Sequence, residues 1–357
     1  MRSFHYSDAV TGDRSAAVSE LLEAIARDKR RFLELRGEQP ALLLELERKA
    51  LVDNCDASAR IEGIYLFPER VEELLTSADV VLSSASEQQV VGYGKILKAM
   101  VKSPDFFSVS PSTFLAMHTV LFSDQVMNSR SRYRRKDYQD VMDGRGQIQR
   151  IAVSPIHAFE TPLYLGSLCD DLATAFASDG DDRLLMIPRM VVDIMCIKPF
   201  DRGTGRLARL MAQKLMGDCG VGIARYVSVD RLCERSGMDY YAALNACAEG
   251  WDSGSNDYEP FTVYWLGKVH EAYQELLPRL EIRNQEAGGK TSKTDRVRSY
   301  FQLHDGPVTK RMIAQDNPDI SISTIENALR ELLHEGSIIM LRSGRSASYQ
   351  RVDGPPC

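Results

Sequence analysis

The sequence lacks the segments that would place a protein in a membrane or outside the cell. No stretch of about 20 residues is continuously apolar, as a membrane-spanning helix requires, and residues 1–13 contain no long apolar core of a secretory signal. The seven cysteines are odd in number and include no Cys-x-x-Cys pair, a pattern that favours reduced thiols over disulfides or a zinc site. These absences predict a cytoplasmic protein with no membrane partner and no bound metal.

The chain also lacks a strong excess of charge. Its 44 Lys and Arg residues face 50 Asp and Glu residues, which gives a formal net charge of −6, so general attraction to nucleic acid or to anionic lipid is not expected. Its 357 residues, 44% of them hydrophobic and 26% charged, are typical of a globular protein of two or three domains. The sequence contains no internal repeat and no low-complexity tract.

A glycine-bearing loop between two helical segments is the first feature with chemical meaning. Leu184 to Ile197 is almost wholly apolar and predicts a buried helix, which Pro199 favours ending at or before the preceding residue. Residues 206–216 predict a second helix. Gly203 and Gly205 allow positive φ and close approach to a ligand, and such a loop leading into a helix N-terminus is a typical anion site. An ordinary helix–loop–helix is the alternative interpretation.

The loop carries a recognisable pattern. Residues 198–209 read Lys-Pro-Phe-Asp-Arg-Gly-Thr-Gly-Arg-Leu-Ala-Arg and resemble the signature loop of the Fic family, His-x-Phe-x-(Asp/Glu)-Gly-Asn-Gly-Arg-x-x-Arg. That family transfers AMP, or another phosphate-containing moiety, from a nucleotide to a protein hydroxyl. The resemblance therefore implies a site for ATP or another nucleotide. The residues that it assigns to the phosphates are Gly203, Thr204, Gly205, Arg206 and Arg209, and Arg202 is an additional candidate because its guanidinium could neutralise phosphate directly.

Three polar positions of the loop depart from the family pattern. Lys198 stands at the catalytic histidine, Arg202 at the metal-binding carboxylate and Thr204 at the asparagine. A lysine of ordinary pKa, about 10.4, is protonated at neutral pH and is a poor general base, so Lys198 is better interpreted as a phosphate clamp. A guanidinium cannot ligate a cation, so Arg202 argues against Mg²⁺ binding. Asp201 is an alternative ligand only if the loop shifts.

A second motif lies earlier in the chain. Ser58, Glu62 and Gly63 match the pattern (Ser/Thr)-x-x-x-Glu-(Gly/Asn), which resembles the inhibitory helix that one class of Fic proteins carries N-terminal to the loop. Ser58 and Glu62 are four residues apart and share one helical face. In the family this glutamate pairs with the second arginine of the loop and blocks the γ-phosphate site, which implies a pair between Glu62 and Arg209. A surface glutamate beside a helix-ending glycine is the alternative.

Further positions extend the resemblance to roughly residues 53–268. Tyr133-Arg134 resembles the start of the family's substrate-docking flap, and the run Tyr240–Leu244 matches a segment found downstream of the loop in many relatives. The resemblance implies that a protein target docks as an added strand at the flap near residues 138–153, or that the protein modifies itself. None of the six histidines lies near the loop in sequence, and His118, in an apolar helical stretch, is interpreted as a core histidine.

The fold that the resemblance implies is a mostly α-helical bundle with one small β-hairpin flap, followed by a separate C-terminal domain. We predict an N-terminal helical region of residues 1–105, with the inhibitory helix near residues 54–65. A core of residues 106–285 would carry the loop, and residues 291–357 would form the C-terminal domain. A homodimer remains open.

The C-terminal segment resembles a winged helix-turn-helix domain. Helices are predicted at residues 293–303, 308–315 and 321–335, and hairpin strands at 337–341 and 347–352. The residues that would face DNA are Ser321, Ser323, Asn327 and Arg330 on the recognition helix and Arg342 and Arg345 on the wing. Nine basic against eight acidic residues from 291 to 357 is a weak balance for a surface that follows DNA phosphates. A protein-docking module is therefore the alternative.

These patterns leave three hypotheses. The first is a Fic-like protein whose altered loop binds a nucleotide or another phosphorylated ligand with little or no AMP transfer. The second is an active nucleotidyl or phosphoryl transferase with an altered mechanism, in which Lys198 stabilises charge. The third is a transcription regulator that uses the Fic-like core as a scaffold for its winged helix. They predict binding without turnover, turnover, and an operator sequence, respectively.

Overall fold

The fold is described from a computed structural model of the chain. The structure describes residues 2–37, 39–77, 79–123, 132–137, 156–177, 181–287, 292–302, 306–342, 344 and 347–352. These residues form a mostly helical molecule with a three-stranded antiparallel sheet, which confirms the prediction of a mostly helical fold. The flap predicted near residues 138–153 lies outside the described residues.

Among the described residues up to 123, six α-helices are joined by short connections. They are α1 (Asp8–Thr11), α2 (Ala16–Arg36), α3 (Pro40–Ile61), α4 (Pro68–Thr76), α5 (Ala85–Lys102) and α6 (Pro111–Leu121), with a 3₁₀ turn at Pro104–Phe106. Serine hydroxyls define the starts of α2, α5 and α6, because Ser15, Ser84 and Ser110 each accept a backbone N–H of the first turn.

The middle of the chain supplies the helices that carry the loop. They are α7 (Thr161–Phe176), α8 (Met186–Ile197), α9 (Thr204–Asp218), α10 (Val229–Arg235), α11 (Met238–Ala248) and α12 (Glu259–Ala287), with 3₁₀ turns at Ala158–Glu160, Asp181–Leu185 and Gly222–Arg225. α8 begins two residues later than predicted because a 3₁₀ turn precedes it. α9 begins at Thr204, two residues earlier than predicted, because the positive φ of Gly203 already turns the chain into the helix.

α8 lies at the centre of the larger hydrophobic core. Its side chains Ile187, Met190 and Ile194 are fully buried, and α7, α9 and α12 pack around it. The carboxylate of Asp193 on the same helix accepts hydrogen bonds from Tyr6 Oη at 2.6 Å, Trp251 Nε1 at 2.7 Å and Tyr258 Oη at 2.6 Å. Burial raises the pKa of Asp193. These contacts fix the end of α8 from which the loop departs.

The C-terminal residues form a smaller unit with its own apolar cluster. Its elements are α13 (Lys293–Gln302), β1 (Val308–Thr309), α14 (Lys310–Asp316), α15 (Ile322–His334), β2 (Ile338–Arg342) and β3 (Ser348–Arg351), with sheet order β1-β3-β2. The prediction of a helix from residue 308 was wrong for its first two residues. Val308 instead pairs with Tyr349 and Thr309 with Ser348, because these partners, about 40 residues later, supply the ladder that two residues cannot form alone.

An ion pair joins this unit to the N-terminal helices. Arg36 at the end of α2 donates from Nη2 to Asp316 Oδ2 at 2.7 Å, and its guanidinium lies 5.3 Å from the centre of the Tyr300 ring. The Tyr300 hydroxyl donates to the same carboxylate oxygen at 2.6 Å. The next residue, Gly37, leaves room for Arg296, whose Nε would lie 2.9 Å from a Cβ there. No helix within the described residues is both long and apolar enough to cross a membrane.

Candidate functional site

The loop begins with a residue in an unusual backbone conformation. Lys198 follows the last residue of α8 with φ 46° and ψ 64°, and it is the only non-glycine residue with positive φ among those described. This region is uncommon for residues with a Cβ, so neighbouring groups have to hold the backbone there. Lys198 is only 7% exposed. The lysine at the family's histidine position is therefore buried beneath the loop surface.

Arg134 supplies much of that support. Its backbone N–H donates to the Pro199 carbonyl at 3.0 Å, and its Nε donates to the Lys198 carbonyl at 2.9 Å. The other two guanidinium nitrogens donate to the carbonyls of Lys136, at 3.1 Å, and of Ile156. Burial lowers the pKa of Arg134. One buried side chain therefore ties the start of the loop to two other chain segments.

His118 supports the middle of the loop. Its imidazole stacks on Phe200 at 4.2 Å between ring centroids and lies 4.7 Å from Phe122. Its Nε2 is 3.2 Å from the Arg202 carbonyl oxygen. Burial lowers the pKa of His118 to about 4, so the ring is neutral at pH 7 and donates from Nε2, because a carbonyl can only accept. His118 is thus a partly buried residue that holds the loop backbone, and not the core histidine expected from the sequence.

Gly203 is required at its position for two reasons. Its φ is 83°, and a Cβ there would lie 2.8 Å from Cε2 of Phe122. The following residue, Thr204, donates its hydroxyl to the Phe200 carbonyl at 3.3 Å. The threonine hydroxyl therefore closes the loop internally, in the place where the family has an asparagine.

Glu62 reaches the loop from the end of α3. The backbone turns away at Gly63, whose φ is 78° and whose N–H donates to the Arg60 carbonyl at 2.9 Å. A Cβ on Gly205 would collide with Glu62 Oε1, so the carboxylate lies directly over the first turn of α9. The same oxygen accepts from Arg209 Nη2 at 3.2 Å. The structure thus brings together Glu62 and Arg209.

The guanidinium of Arg209 has partners at all three nitrogens. Nε and Nη2 donate to Ser58 Oγ at 3.2 and 3.1 Å, and Nη2 also donates to the Ser58 carbonyl at 3.1 Å. Nη1 lies 3.5 Å from the Tyr240 hydroxyl, and Nε lies 4.0 Å from Asp230 Oδ2. Burial opposes the charge, yet Tyr240, Glu62 and Asp230 together raise the pKa of Arg209 well above its ordinary value. Arg209 is therefore a satisfied, buried cation.

Arg206, one turn earlier on α9, has fewer partners. Its Nη2 donates to Gln89 Oε1, and its guanidinium lies 5.5 Å from the centre of the Phe122 ring. Nε and Nη1 are buried, and neither has an acceptor among the described residues. Burial lowers the pKa of Arg206 to about 10, which still leaves the group charged at pH 7. Two charged N–H donors are therefore available to an anionic ligand.

The loop does not suit a magnesium ion. Arg202 is exposed, with its guanidinium 5.8 Å from the centre of the Phe122 ring, and it offers no lone pair to a metal. Within the described residues, no group of three or more His, Cys, Asp and Glu side chains could hold a metal ion. Asp201 alone is one oxygen donor group, whereas Mg²⁺ demands near-octahedral coordination. The side chains present at this position therefore do not fit a metal ion.

Several supporting residues were not predicted from the sequence. Gln89 lies 117 residues from the Arg206 that it contacts, and Tyr93 donates at 2.5 Å to Asp230, 137 residues away. No local pattern marks such pairs. Two further contacts come from the run Tyr240–Leu244, which the sequence singles out. Tyr240 contacts Arg209, and the hydroxyl of Tyr241 donates to the Ile61 carbonyl at 2.7 Å.

The remaining predicted site residues lie in the C-terminal unit. Ser321 caps α15 by accepting the Thr324 N–H at 3.2 Å, and Ser323, the second residue of the helix, is exposed. Arg330 donates to Asn327 Oδ1 at 3.1 Å on the exposed side of α15. Arg342 is exposed at the end of β2, and Arg345 lies outside the described residues.

Part of the chain is similar in sequence to a known protein family, and the whole fold is similar to solved structures. A family model for the Fic/DOC family matches residues 108–216, and no curated protein sequence matches the chain. A Fic family protein from Desulfovibrio desulfuricans G20 is similar in structure, with a TM-score of 0.61, 19% identity, and coverage of 97% of this chain and 98% of that one.

Two further solved structures are also similar. Fic-1 (residues 134–508) of C. elegans gives a TM-score of 0.58 at 18% identity, over 75% of this chain and 74% of that one. A Fic domain containing signaling protein of Bacteroides thetaiotaomicron gives 0.56 at 16% identity, over 72% and 98%. Identities this low show the fold alone. From the family match and the shared fold together, the chain carries a Fic/DOC family domain in residues 108–216.

Proposed function

We propose that this protein binds a nucleotide, or another phosphorylated ligand, at the loop of its Fic/DOC domain and transfers AMP weakly or not at all. The observation that carries the proposal is Arg206, a buried and charged guanidinium with two N–H donors that no described residue accepts. Phosphate oxygens are suited to such a fork because each accepts a charge-assisted hydrogen bond.

The surroundings of Arg206 favour the same ligand chemistry. Gly205 places no side chain of its own over the first turn of α9, a 15-residue helix whose N-terminal N–H groups and dipole favour an anion. Arg202 adds an exposed positive charge near the same Phe122 ring as Arg206. Arg202 would thereby offset phosphate charge in the place where the family uses a metal ion.

The loop offers no strong candidate for the general base that AMP transfer uses. Lys198 is a weak candidate for the base, because phosphate nearby favours its protonated form. His118 does not replace it, since its Nε2 is engaged with the Arg202 carbonyl and burial lowers its pKa to about 4. Loss of a general base alone typically costs about 10²–10⁴ in rate. Binding without rapid turnover follows from these three points.

Glu62 is proposed to limit access to the site. Its carboxylate lies over Gly205 and is held by Arg209, so a phosphate approaching the start of α9 meets a negative charge at short range. Removing the carboxylate should raise affinity for a nucleoside triphosphate more than for a monophosphate, because the longer ligand extends further toward Glu62.

Intact mass of the protein after incubation with Mg-ATP, and then with other nucleotides, tests the proposal. The Glu62→Gly variant should gain no mass, and the same variant with Lys198→His, Arg202→Asp and Thr204→Asn should gain the mass of a nucleotide fragment. Added mass on the first variant would instead favour an active transferase with an altered mechanism, including one that modifies itself. A second incubation that includes other proteins would reveal transfer of a nucleotide fragment to a protein target.

Ligand binding is measured separately by calorimetry with ADP and ATP, with and without Mg²⁺. The proposal expects binding that does not depend on Mg²⁺, because Arg202 takes the place of the carboxylate. Absence of binding to the Glu62→Gly variant under both conditions would contradict it. Arg231→Met is a suitable control, since Arg231 pairs with Asp53 and Glu275 away from the loop.

A second candidate function concerns the C-terminal unit. We propose that residues 292–352 form a winged helix-turn-helix domain, because three helices are followed by a hairpin whose second strand pairs with β1. The exposed Ser323, Asn327 and Arg330 would face a DNA groove. Selection of sequences from a random DNA pool, followed by a salt titration, tests this. A site-specific complex that weakens steeply with salt supports DNA binding, and no enrichment supports protein docking.

A further inference from the structure

Arg134 connects the start of the loop with both chain segments that flank residues 138–155. Its guanidinium donates to Lys198 on the loop, to Lys136 before that stretch and to Ile156 after it. Its backbone N–H adds a bond to Pro199. These contacts are all to carbonyl oxygens, and the side chain is 1% exposed, so Arg134 is placed to organise backbone and not to meet a ligand.

We infer that Arg134 is a positioning residue of the phosphate site, which holds Lys198 in its left-handed conformation and thereby sets the path of the loop into α9. The inference rests on the proposed function only for its effect on ligand affinity. Its structural part depends on the hydrogen bonds of Arg134 alone.

The chemistry of the side chain explains why an arginine is needed. The three accepting carbonyls lie on three different chain segments, and the three guanidinium nitrogens each reach one of them. A lysine has one nitrogen and cannot occupy three separated positions. A conservative replacement by lysine would therefore keep the charge and lose most of the connections.

Asp137 forms a second set of contacts close to those of Arg134. Asp137 accepts the backbone N–H of Ala158 at 2.7 Å through Oδ1 and contacts His157 Nδ1 at 3.0 Å through Oδ2. The segments on either side of residues 138–155 are thus tied to each other by Asp137. Only Arg134 ties them to the loop through hydrogen bonds of the described residues, which makes it the link whose removal should affect the loop selectively.

The test compares Arg134→Lys and Arg134→Met with Arg183→Met. Arg183 is a matched control because its Nη1 also donates to a backbone carbonyl, that of Phe176 at 3.1 Å, on another part of the fold. Hydrogen exchange of the amides of Lys198 and of residues 200–205 is measured without ligand, and the Kd for ATP is measured in the Glu62→Gly background. Thermal unfolding of each variant checks that it is folded.

Both Arg134 variants should lose exchange protection in the loop and bind ATP about tenfold more weakly, the equivalent of one lost charge-assisted bond. The dependence of the Kd on salt should remain that of the parent, whereas Arg206→Met, which removes a phosphate contact, should flatten it. Arg183→Met should leave loop exchange and affinity unchanged.

Three results would overturn the inference. They are unchanged loop exchange in both Arg134 variants, equal loosening of the loop in Arg183→Met, and a flattened salt dependence in Arg134→Met, which would make Arg134 a direct phosphate contact. If the parent protein binds no ATP, the proposed function fails, and the exchange comparison still decides the role of Arg134. An Arg134 variant that does not fold is replaced by Arg134→Gln, which retains one donor and is judged by the same exchange measurement.

Discussion

Two arginines on one helix, three residues apart, have opposite surroundings. Arg209 has a partner at each guanidinium nitrogen, and two carboxylates and two hydroxyl-bearing side chains surround it. Arg206 is buried to the same degree, at 4% against 5% exposed, yet two of its nitrogens have no acceptor among the described residues. Equal burial of the same side chain therefore gives a structural cation at one position and a candidate ligand-binding cation at the other.

The difference arises from the elements that face each residue. Arg209 faces α3 and α10, which present Ser58, Glu62 and Asp230. Arg206 faces α5 and the end of α6, where Gln89 supplies one acceptor and Phe122 supplies only the face of a ring. A ring offers a cation modest stabilisation, of about 0.5–2 kcal/mol, and no lone pair for an N–H. The motif specifies both arginines, and the packing specifies what each can do.

The largest expected effect is on ligand affinity at Arg206. Arg206→Met should weaken binding of ATP and ADP by at least about a hundredfold, because two charged hydrogen bonds of about 1.5–3 kcal/mol each are lost. Stability should be unchanged or higher, since an apolar side chain of similar length replaces an incompletely paired cation. Calorimetry with urea unfolding in parallel measures both. Retained affinity in Arg206→Met would remove the distinction between the two arginines.

The converse effect is expected on stability at Arg209. Arg209→Met should cost about 3–5 kcal/mol of unfolding free energy, because buried acidic groups would lose their compensating charge. Adding Asp230→Asn should recover part of that loss, since the amide removes the buried carboxylate that lies 4.0 Å away. Urea unfolding of the single and double variants measures the coupling. A loss no larger than that of Arg206→Met would show that Arg209 is not the structural member of the pair.

The sequence predicted the elements around this pair better than it predicted their environment. The apolar run before Lys198, the proline after it and the two glycines are local features, and α8 and α9 follow within two residues of expectation. The contact between Glu62 and Arg209 came from the resemblance to a family and not from any physical pattern in the chain. Composition and periodicity alone would have left Glu62 on the surface.

What could not be predicted depends on contacts distant in sequence. Arg134 is 64 residues from the carbonyl that it holds, and His118 is 84 residues from its own partner. The left-handed conformation of Lys198 has no sequence marker, because residues other than glycine rarely adopt it. The strand at Val308 likewise exists only because Tyr349 lies opposite. Each depends on tertiary structure overriding local preference.

A smaller effect on unfolding free energy is expected from substitution of Gly205, and it should act through the pair of Glu62 and Arg209. Gly205→Ala should cost about 1 kcal/mol or slightly more, because the new methyl group displaces the Glu62 carboxylate that pairs with Arg209. In the Glu62→Gly background the same change should cost less, since only Arg209 Nη1, 3.2 Å from the new Cβ, remains close. The double-mutant cycle in unfolding free energy tests this. Equal costs in both backgrounds would place the strain elsewhere than at Glu62.

The last expected effect is a pH dependence on the Arg206 side. Burial lowers the pKa of His118 from its ordinary 6.5 to about 4 in the folded protein, and Arg206 contributes to that shift. Between these values the unfolded chain binds a proton that the folded protein does not, so stability should fall as the pH drops from about 6.5 toward 4. His118→Gln keeps an N–H donor for the Arg202 carbonyl without titrating. Its unfolding free energy should therefore decline less between pH 7 and pH 5 than that of the parent. An identical decline in urea unfolding would mean that His118 takes up its proton equally in both states.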